Sequence, residues 1–306
     1  MASSTLSWPR LNQTQRRNIT GYLFITPWLL GLLTFTLVPI AVVFVLGFTR
    51  YGVLDTPEWV GLRNYVRIFT DDRYFRISLV NTLYYVAISV PLHVIIGFLL
   101  ALGLNAKIRG ITIYRTLFYV PSIVPQVAGV LLFVWLFQPQ IGLFNFLLDL
   151  VGVRGPNWLG RPEWAKPAII IMSLWGVGGG MIIFLAGLQS IPEHLYEAAK
   201  IDGANNWNQF WTVTVPMMTP TIFFNLVMGL INSFQVFTTA YVATNGGPMN
   251  STLFYMLYLY TTGFQDFKMG YASALAWILF FLVLVLTVLV FKSSASWVYY
   301  ESGGEG

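Results

Sequence analysis

Uncharged polar side chains recur along one strongly apolar stretch of the chain. Asn225, Asn232, Gln235 and Thr239, together with Met228, follow the three- and four-residue spacing of one helix face, and Ser233 lies beside them. Amide and hydroxyl groups can pair with the hydroxyls of a solute, each of which costs roughly 1–3 kcal/mol to bury without a hydrogen bond. For Asn232 and Gln235 we favour this solute-binding interpretation over packing between helices.

An aromatic residue and several glycines could extend the same binding face. Trp175 is followed by Gly176 and then by a run of three glycines that includes Gly179. Missing side chains would let a sugar ring approach the backbone, and the indole could stack on that ring. Close packing of helices through small residues explains the glycines about as well.

A third polar patch surrounds two prolines. Ser122 and Gln126 lie beside Pro121 and Pro125. Since proline kinks or breaks a helix, the pattern predicts a kinked helix with polar groups at the kink. The alternative is a helix break at the membrane surface.

The elements that would position these side chains are six transmembrane helices. Charged residues make up 9% of the chain and hydrophobic residues 56%, whereas soluble domains are about 25% charged. A helix needs about 20 apolar residues to cross a bilayer. Runs of this length lie at about 21–49, 77–105, 112–137, 167–190, 217–244 and 270–291. The predicted fold is therefore an all-α polytopic membrane protein.

Positive charge in the short polar segments predicts the orientation of the spans. The leader, residues 1–20, carries Arg10, Arg16 and Arg17, and a short turn carries Lys107 and Arg109. Because Lys and Arg favour the cytoplasmic side, both termini are predicted to be cytoplasmic. Basic residues in the loops at 50–76 and 138–166 argue in the other direction.

A polar segment between the fourth and fifth runs is predicted to form a helix-turn-helix. Ser190 and Glu193 fit a capping box at the start of its first helix. Gly203 suits the left-handed turn that closes this helix, and the asparagine pair 205–206 can cap a second helix running to Pro216.

The two predicted helices differ in their surfaces. Trp207, Phe210 and Trp211 form one apolar face that would lie against the spans. Ala198 and its neighbour leave the first helix thin, so that a partner could approach Glu197. An ordinary amphipathic connector between spans is the alternative.

Several kinds of chemistry are excluded or disfavoured. The chain lacks cysteine, so disulfides and thiolate metal sites are excluded. It also lacks the Gly-rich phosphate cradle of an ATPase, and we expect no ATP binding by this polypeptide. The spans contain no mid-span Asp, Glu, Lys or Arg, which argues against a proton- or sodium-coupled carrier. His93 is titratable, and a packing role is favoured for it. A channel is a weaker third option.

A recognisable motif runs through the helix-turn-helix, and it comprises Glu197, Ala198, Ala199, Asp202, Gly203, Phe210 and Pro216. It resembles the cytoplasmic "EAA" loop of permease subunits in bacterial ABC importers, although Val213 and Val215 replace the commoner Ile and Leu. Asn81-Thr82, the stretch from Arg115 to Pro121, and Asn245 to Pro248 resemble the carbohydrate branch of that family. The resemblance covers about residues 20–295.

The resemblance implies a permease domain at 21–295 that contains a coupling loop at 190–216, with a C-terminal tail at 296–306. It implies a place in the cytoplasmic (inner) membrane of a bacterium or archaeon, and a heterodimer with a shorter homologous permease. Two ATPase copies would hold ATP and Mg²⁺, and an extracellular binding protein would deliver the solute. No cofactor in this chain and no nucleic-acid partner is expected.

The same resemblance implies a mechanism. The first helix of the loop, starting near Glu193, would insert into a cleft of the ATPase, whose closure would switch the spans between inward- and outward-open states. The expected solute is a di- or oligosaccharide, and the lack of a basic side chain in the spans favours neutral sugars over glycerol phosphate. A self-sufficient secondary carrier is the rival hypothesis.

Overall fold

Helices make up most of the residues described by the computed structural model, which are 12–106 and 108–299. Arg10, Lys107 and residues 300–306, which the leader, orientation and tail predictions used, lie outside this range. The α-helices are α1 (Gln13–Leu32), α2 (Val38–Leu46), α3 (Arg63–Thr70), α4 (Arg73–Leu104), α5 (Ile111–Ile123), α6 (Gln126–Leu136), α7 (Leu143–Leu150), α8 (Pro162–Leu174), α9 (Gly178–Ser190), α10 (Glu193–Ile201), α11 (Asn206–Gln209), α12 (Val215–Phe234), α13 (Thr238–Ala243), α14 (Tyr255–Tyr260) and α15 (Met269–Ser294). Strands β1 (Thr49–Arg50) and β2 (Glu58–Trp59) pair antiparallel, and π-helical turns lie at Leu33–Leu37, Phe210–Thr214 and Thr261–Gln265.

The described residues contain four helical segments long and apolar enough to cross a membrane, or six if two bent pairs each form one span. The four are Gln13–Leu46, Arg73–Leu104, Asn206–Phe234 and Met269–Ser294, and the bent pairs are α5 with α6 and α8 with α9. The predicted all-α class is confirmed, and each predicted apolar run lies on one of these segments.

The third span is two helices rather than one kinked helix. Helices α5 and α6 meet at an angle of 98°. Val124 is extended, with ψ of 134°, and Pro125 occupies the N-cap of α6. Proline drives its preceding residue out of the helical region and has no N–H to continue the ladder. The predicted kink is therefore a complete break.

The fourth span bends by 48° between α8 and α9. A Cβ built on Gly178 would lie 2.1 Å from the Phe118 carbonyl oxygen, so only glycine allows α5 and α9 to approach this closely. For Gly178 the packing interpretation is correct. Gly176 has no such close neighbour, since its nearest contact would be the Ser173 carbonyl oxygen at 3.7 Å.

The fifth predicted run is not one continuous helix to residue 244. Helix α12 ends at Phe234, and the next two backbone N–H groups, of Gln235 and Val236, donate to the carbonyls three residues earlier. Val236 and Ala240 then turn into a buried cluster with Phe254. Burial of these side chains outweighs the helical preference of the local sequence.

Helix α4 is the centre of the packing, and near its start two side chains hold the loop that follows the fifth span. The Asn81 amide donates to the carbonyls of Asn250 (2.8 Å) and Leu253 (3.1 Å), and the Thr82 hydroxyl accepts from the Tyr255 N–H at 2.8 Å. Lys166 of α8 donates to Asn81 Oδ1 at 3.1 Å. The Asn81-Thr82 motif therefore holds the segment that directly follows the Asn245–Pro248 motif.

Candidate functional site

The turn of the helix-turn-helix is closed by backbone hydrogen bonds. Gly203 has φ of +81°, its N–H donates to the Lys200 carbonyl, and the Ala204 N–H donates to the Ala199 carbonyl. These are the two bonds of a Schellman motif, which places a glycine in the left-handed region. Asn205 then accepts from the Asn208 N–H at 2.9 Å and caps the second helix. Both backbone predictions for this turn are confirmed.

The predicted capping box at the start of the loop is wrong. Ser190 is the last residue of α9, and its hydroxyl donates to the Gly187 carbonyl of its own helix at 2.8 Å. Pro192 occupies the N-cap of α10. Only Ile191 and Pro192 separate the two helices, so Ser190 remains helical and cannot reach forward to cap α10.

The second helix does not end at Pro216. Asn206–Phe234 forms one helical rod that joins the turn to the fifth span. The π-helical turn Phe210–Thr214 precedes Pro216, and the Val215 N–H bonds to the Phe210 carbonyl five residues back. A proline ring clashes with the carbonyl four residues earlier, and we attribute the continuity of the rod to the wider π turn.

One face of the loop packs against the spans while another remains exposed. Tyr196 and Phe210 pack against the buried cluster of α4 and α9, and the Phe210 ring stacks on Phe98 at 6.3 Å. Glu197 and Ala198 are exposed. Asp202 and Gly203 at the turn are exposed as well.

The predicted aromatic face lies only partly against the spans. Trp207 is 66% and Trp211 53% exposed, and both contact Phe210 from outside. The prediction holds for Phe210 and is wrong for the two tryptophans.

A cavity of about 820 Å³ lies where the third, fourth and fifth spans break. Its wall is completed by α4. Seven of the eight residues predicted to line a solute pathway surround it: Gln126, Trp175, Gly176, Asn232, Ser233, Gln235 and Thr239. The eighth, Gly179, is not among the lining residues, and a Cβ there would face the Ser122 side chain at 3.8 Å.

Several lining groups have unused hydrogen-bonding capacity. Within the described residues, the side chains of Asn232, Ser233 and Gln235 make no hydrogen bond to protein. Asn225 is different, since its amide donates to the Thr221 carbonyl at 2.9 Å in its own helix. Trp175 meets Phe133 edge-on at 5.7 Å. The arrangement offers free amides and a hydroxyl together with an aromatic wall.

Other lining residues were not predicted from the sequence. Tyr85, Phe224 and Phe237 add aromatic surface to the cavity. The sequence does not single them out, because similar aromatic residues occur in apolar runs elsewhere in the chain. His93, for which packing was favoured, also lines the cavity. Its Nδ1 lies 2.7 Å from the Ser89 carbonyl oxygen and its Nε2 lies 3.0 Å from that of Ser173.

Broken apolar spans around a polar cavity, with an exposed helical loop at one end, define the membrane subunit of a transporter. Residues 93–298 match the family described as "Binding-protein-dependent transport system inner membrane component". The chain belongs to this family.

Named relatives agree with this assignment. The chain is 42% identical to YesP of Bacillus subtilis (strain 168), a probable ABC transporter permease protein, over 95% of each chain. It is 36% identical to the trehalose/maltose transport system permease protein MalF of Thermococcus litoralis, covering 89% of this chain and 92% of that protein. A crystal structure of a bacterial alginate ABC transporter, in complex with its alginate pentasaccharide-bound periplasmic protein, has a chain that matches 94% of this one with a TM-score of 0.82 and 25% identity.

Proposed function

We propose that this chain is the permease subunit of an ABC importer that moves a di- or oligosaccharide across the cytoplasmic membrane. The observation that carries the proposal is the cavity of about 820 Å³, lined by the unpaired side chains of Asn232, Ser233 and Gln235 beside Trp175. Ligand sites of transporters lie near the membrane midplane between interrupted helices. Trehalose, maltose and alginate in the names of similar proteins support a saccharide.

The helical rod Asn206–Phe234 supports the proposed coupling to ATP hydrolysis. Asn206 begins this rod at the exposed turn and Asn232 lies near its other end, at the cavity. A separate ATPase subunit that binds α10 through Glu197 and Ala198 would move the turn, and the rod would carry this motion to the cavity. The chain itself is proposed to be non-catalytic, with ATP and Mg²⁺ on the partner.

The proposed assembly contains a second, homologous permease, two ATPase copies and one extracellular binding protein. The first span, Gln13–Leu46, supports a further membrane partner or a lipid contact, because its most apolar window has no buried residue within the described part of the chain. This assembly requires the loop 190–216 and both termini to face the cytoplasm.

The rival, a self-sufficient secondary carrier, finds less support in the cavity. Among its described lining residues are no Asp, Glu, Lys or Arg, whereas ion-coupled carriers rely on such groups.

The test is saccharide uptake into proteoliposomes that contain this chain with its partner permease, ATPase and binding protein. We expect ATP-dependent uptake that falls in Asn232→Leu and Gln235→Leu but not in Asn105→Leu, since Asn105 is exposed and lies outside both the cavity and the loop 190–216. Glycerol phosphate is tested as a competing solute. Gradient-driven uptake by the purified chain alone, without ATPase, would establish the carrier instead.

A further inference from the structure

Both ring nitrogens of His93 face backbone carbonyl oxygens. Nδ1 lies 2.7 Å from the Ser89 oxygen on its own helix, and Nε2 lies 3.0 Å from the Ser173 oxygen on α8. A neutral imidazole has one N–H donor and one lone pair, whereas the imidazolium has two donors. A neutral ring would therefore place a lone pair against one of these oxygens.

Among the residues that the structure describes, none around His93 carries a carboxylate that could neutralise an imidazolium. Tyr85 is the only other titratable side chain among the described lining residues. Lys166 on α8 binds Asn81, and Arg115 of α5 binds the Leu104 carbonyl. Because these contacts lie 12 and 11 positions from His93 along α4, they are roughly 18 and 16 Å away along the helix axis.

The remaining charged groups of the packed helices are also distant in sequence. Glu163 of α8 lies ten positions before Ser173, about 15 Å along that helix. Helices α9 and α12 carry no Asp, Glu, Lys or Arg. A charge on His93 would therefore be the single full charge at the cavity wall within the described residues.

We infer that His93 is a specificity residue that is positively charged when both carbonyl contacts are made, and that the cavity favours saccharides carrying a carboxylate or another anionic group. This inference rests on the proposed function, because it names the solute class of the same cavity. It revises the preference for neutral sugars, since His93 supplies a cation to a cavity whose other described lining residues include no Lys or Arg. Half-buried His93 remains near the solvent of the cavity, which lowers the cost of its charge.

The test measures binding without the binding protein, which would impose its own selectivity. The complex of this chain with its partner permease and ATPase is titrated with a tetrasaccharide of uronic acids and with the same tetrasaccharide after reduction of its carboxylates to alcohols. We expect the acidic form to bind about tenfold more tightly, a difference of 1.4 kcal/mol.

Two variants separate charge from packing. His93→Gln keeps a donor without the charge, and it should abolish the preference while retaining affinity for the reduced saccharide. Asn232→Leu should weaken both saccharides equally. A wild-type complex that binds both forms equally, or His93→Gln with the preference intact, overturns the inference and leaves the proposed function standing. If neither saccharide binds wild type, the cavity is not a saccharide site and both proposals fail.

Discussion

The side-chain amide of Gln126 donates a hydrogen bond to the hydroxyl of Thr239 at 3.4 Å, and it joins two helices that each begin after a break. Gln126 is the first residue of α6, and Thr239 is the second residue of α13. The contact therefore links the interrupted third and fifth spans at the cavity wall. A change in the angle of either helix would disturb it.

Replacing Thr239 by valine should impair transport without unfolding the protein. The substitution keeps the shape of the side chain and removes the acceptor, and a hydrogen bond of this kind contributes roughly 0.5–1.5 kcal/mol, equivalent to about a two- to tenfold fall in uptake. Saccharide uptake in proteoliposomes checks this. The control is Thr116→Val, because Thr116 is exposed on α5 and bonds only to the Thr112 carbonyl of its own helix. Equal uptake by both variants would contradict a role for the Gln126 contact.

Gly203→Asp should uncouple ATP hydrolysis from the solute. Gly203 has φ of +81° and no neighbour within 4 Å of an added Cβ, so the cost lies in the backbone, on the order of 1 kcal/mol. A distorted turn would misdirect α10 relative to the ATPase. The measurement is saccharide-stimulated ATP hydrolysis beside the amount of ATPase that co-purifies, and Glu197→Ala should reduce both more mildly.

Gly110 provides a matched control for this variant. It has φ of +79° and equally open surroundings, and it lies in the turn between α4 and α5 rather than in the loop 190–216. Gly110→Asp carries the same backbone cost, and we expect the complex with this variant to keep its saccharide-stimulated ATP hydrolysis. If Gly203→Asp and Gly110→Asp behave alike, the loop is an ordinary connector.

Asn81→Ala should lower the melting temperature of the purified complex. Its amide serves two carbonyls, of Asn250 and Leu253, and its oxygen accepts from Lys166. Each buried group left unpaired costs roughly 1–3 kcal/mol. Asn105→Ala is the control, because Asn105 is an exposed residue at the end of the same helix. A melting temperature equal to that of the control would show that the loop is held by other contacts.

Asp72→Asn should destabilise the end of the protein opposite the loop 190–216. Asp72 caps α4 by accepting from the Phe75 N–H, and it accepts from the hydroxyls of Tyr258 and Tyr271 at 2.5 and 2.6 Å. Hydrogen bonds to charged groups contribute about 1.5–3 kcal/mol. The free energy of unfolding, measured in denaturant, should therefore fall by about 1.5–3 kcal/mol in Asp72→Asn, because the charge-assisted hydrogen bonds are lost. Asp71→Asn, at the exposed neighbouring residue, should have little effect.

The same contact predicts how this stabilisation depends on pH. Burial and the hydrogen bond to Asp72 raise the pKa of Tyr258 above its ordinary value. When folding raises the pKa of a group, its contribution to stability is complete at pH values below the pKa that the group has in the unfolded chain, which is about 10 for tyrosine. The contribution is lost as the pH rises towards the pKa of the folded state. The difference between wild type and Asp72→Asn should therefore be constant near neutral pH and shrink in strong alkali. A difference that disappears near pH 7 would exclude this account.

The spans and the turn could be predicted because local rules govern them. Apolar length marks each span, and the demand for positive φ explains Gly203. Pro125 indicates an interruption in the third span, although the angle between α5 and α6 depends on the helices against which α6 packs. By contrast, the end of α12 at Phe234 carries no local signal, since it follows from the burial of Val236 and Ala240.

The cavity lay partly within reach of sequence reasoning. Burying a polar side chain in a membrane span costs free energy unless the side chain forms hydrogen bonds, and this rule identifies Asn232 and Gln235 as candidates. Their shared wall with Gln126 depends on three breaks that meet in space. His93 could be seen as unusual, but its carbonyl partner on Ser173 is 80 positions away and no spacing rule reveals it.

If a partner moves the loop 190–216 as proposed, the continuous rod Asn206–Phe234 acts as a lever arm of defined length. Trp207 and Asn232 are 25 positions apart on it, which corresponds to roughly 37 Å at the rise of an α-helix. A tilt of about 5° at the exposed turn would then displace the Asn232 amide by about 3 Å, the length of one hydrogen bond. A movement too small to unpack a helix would be enough to make or break contact with a bound solute.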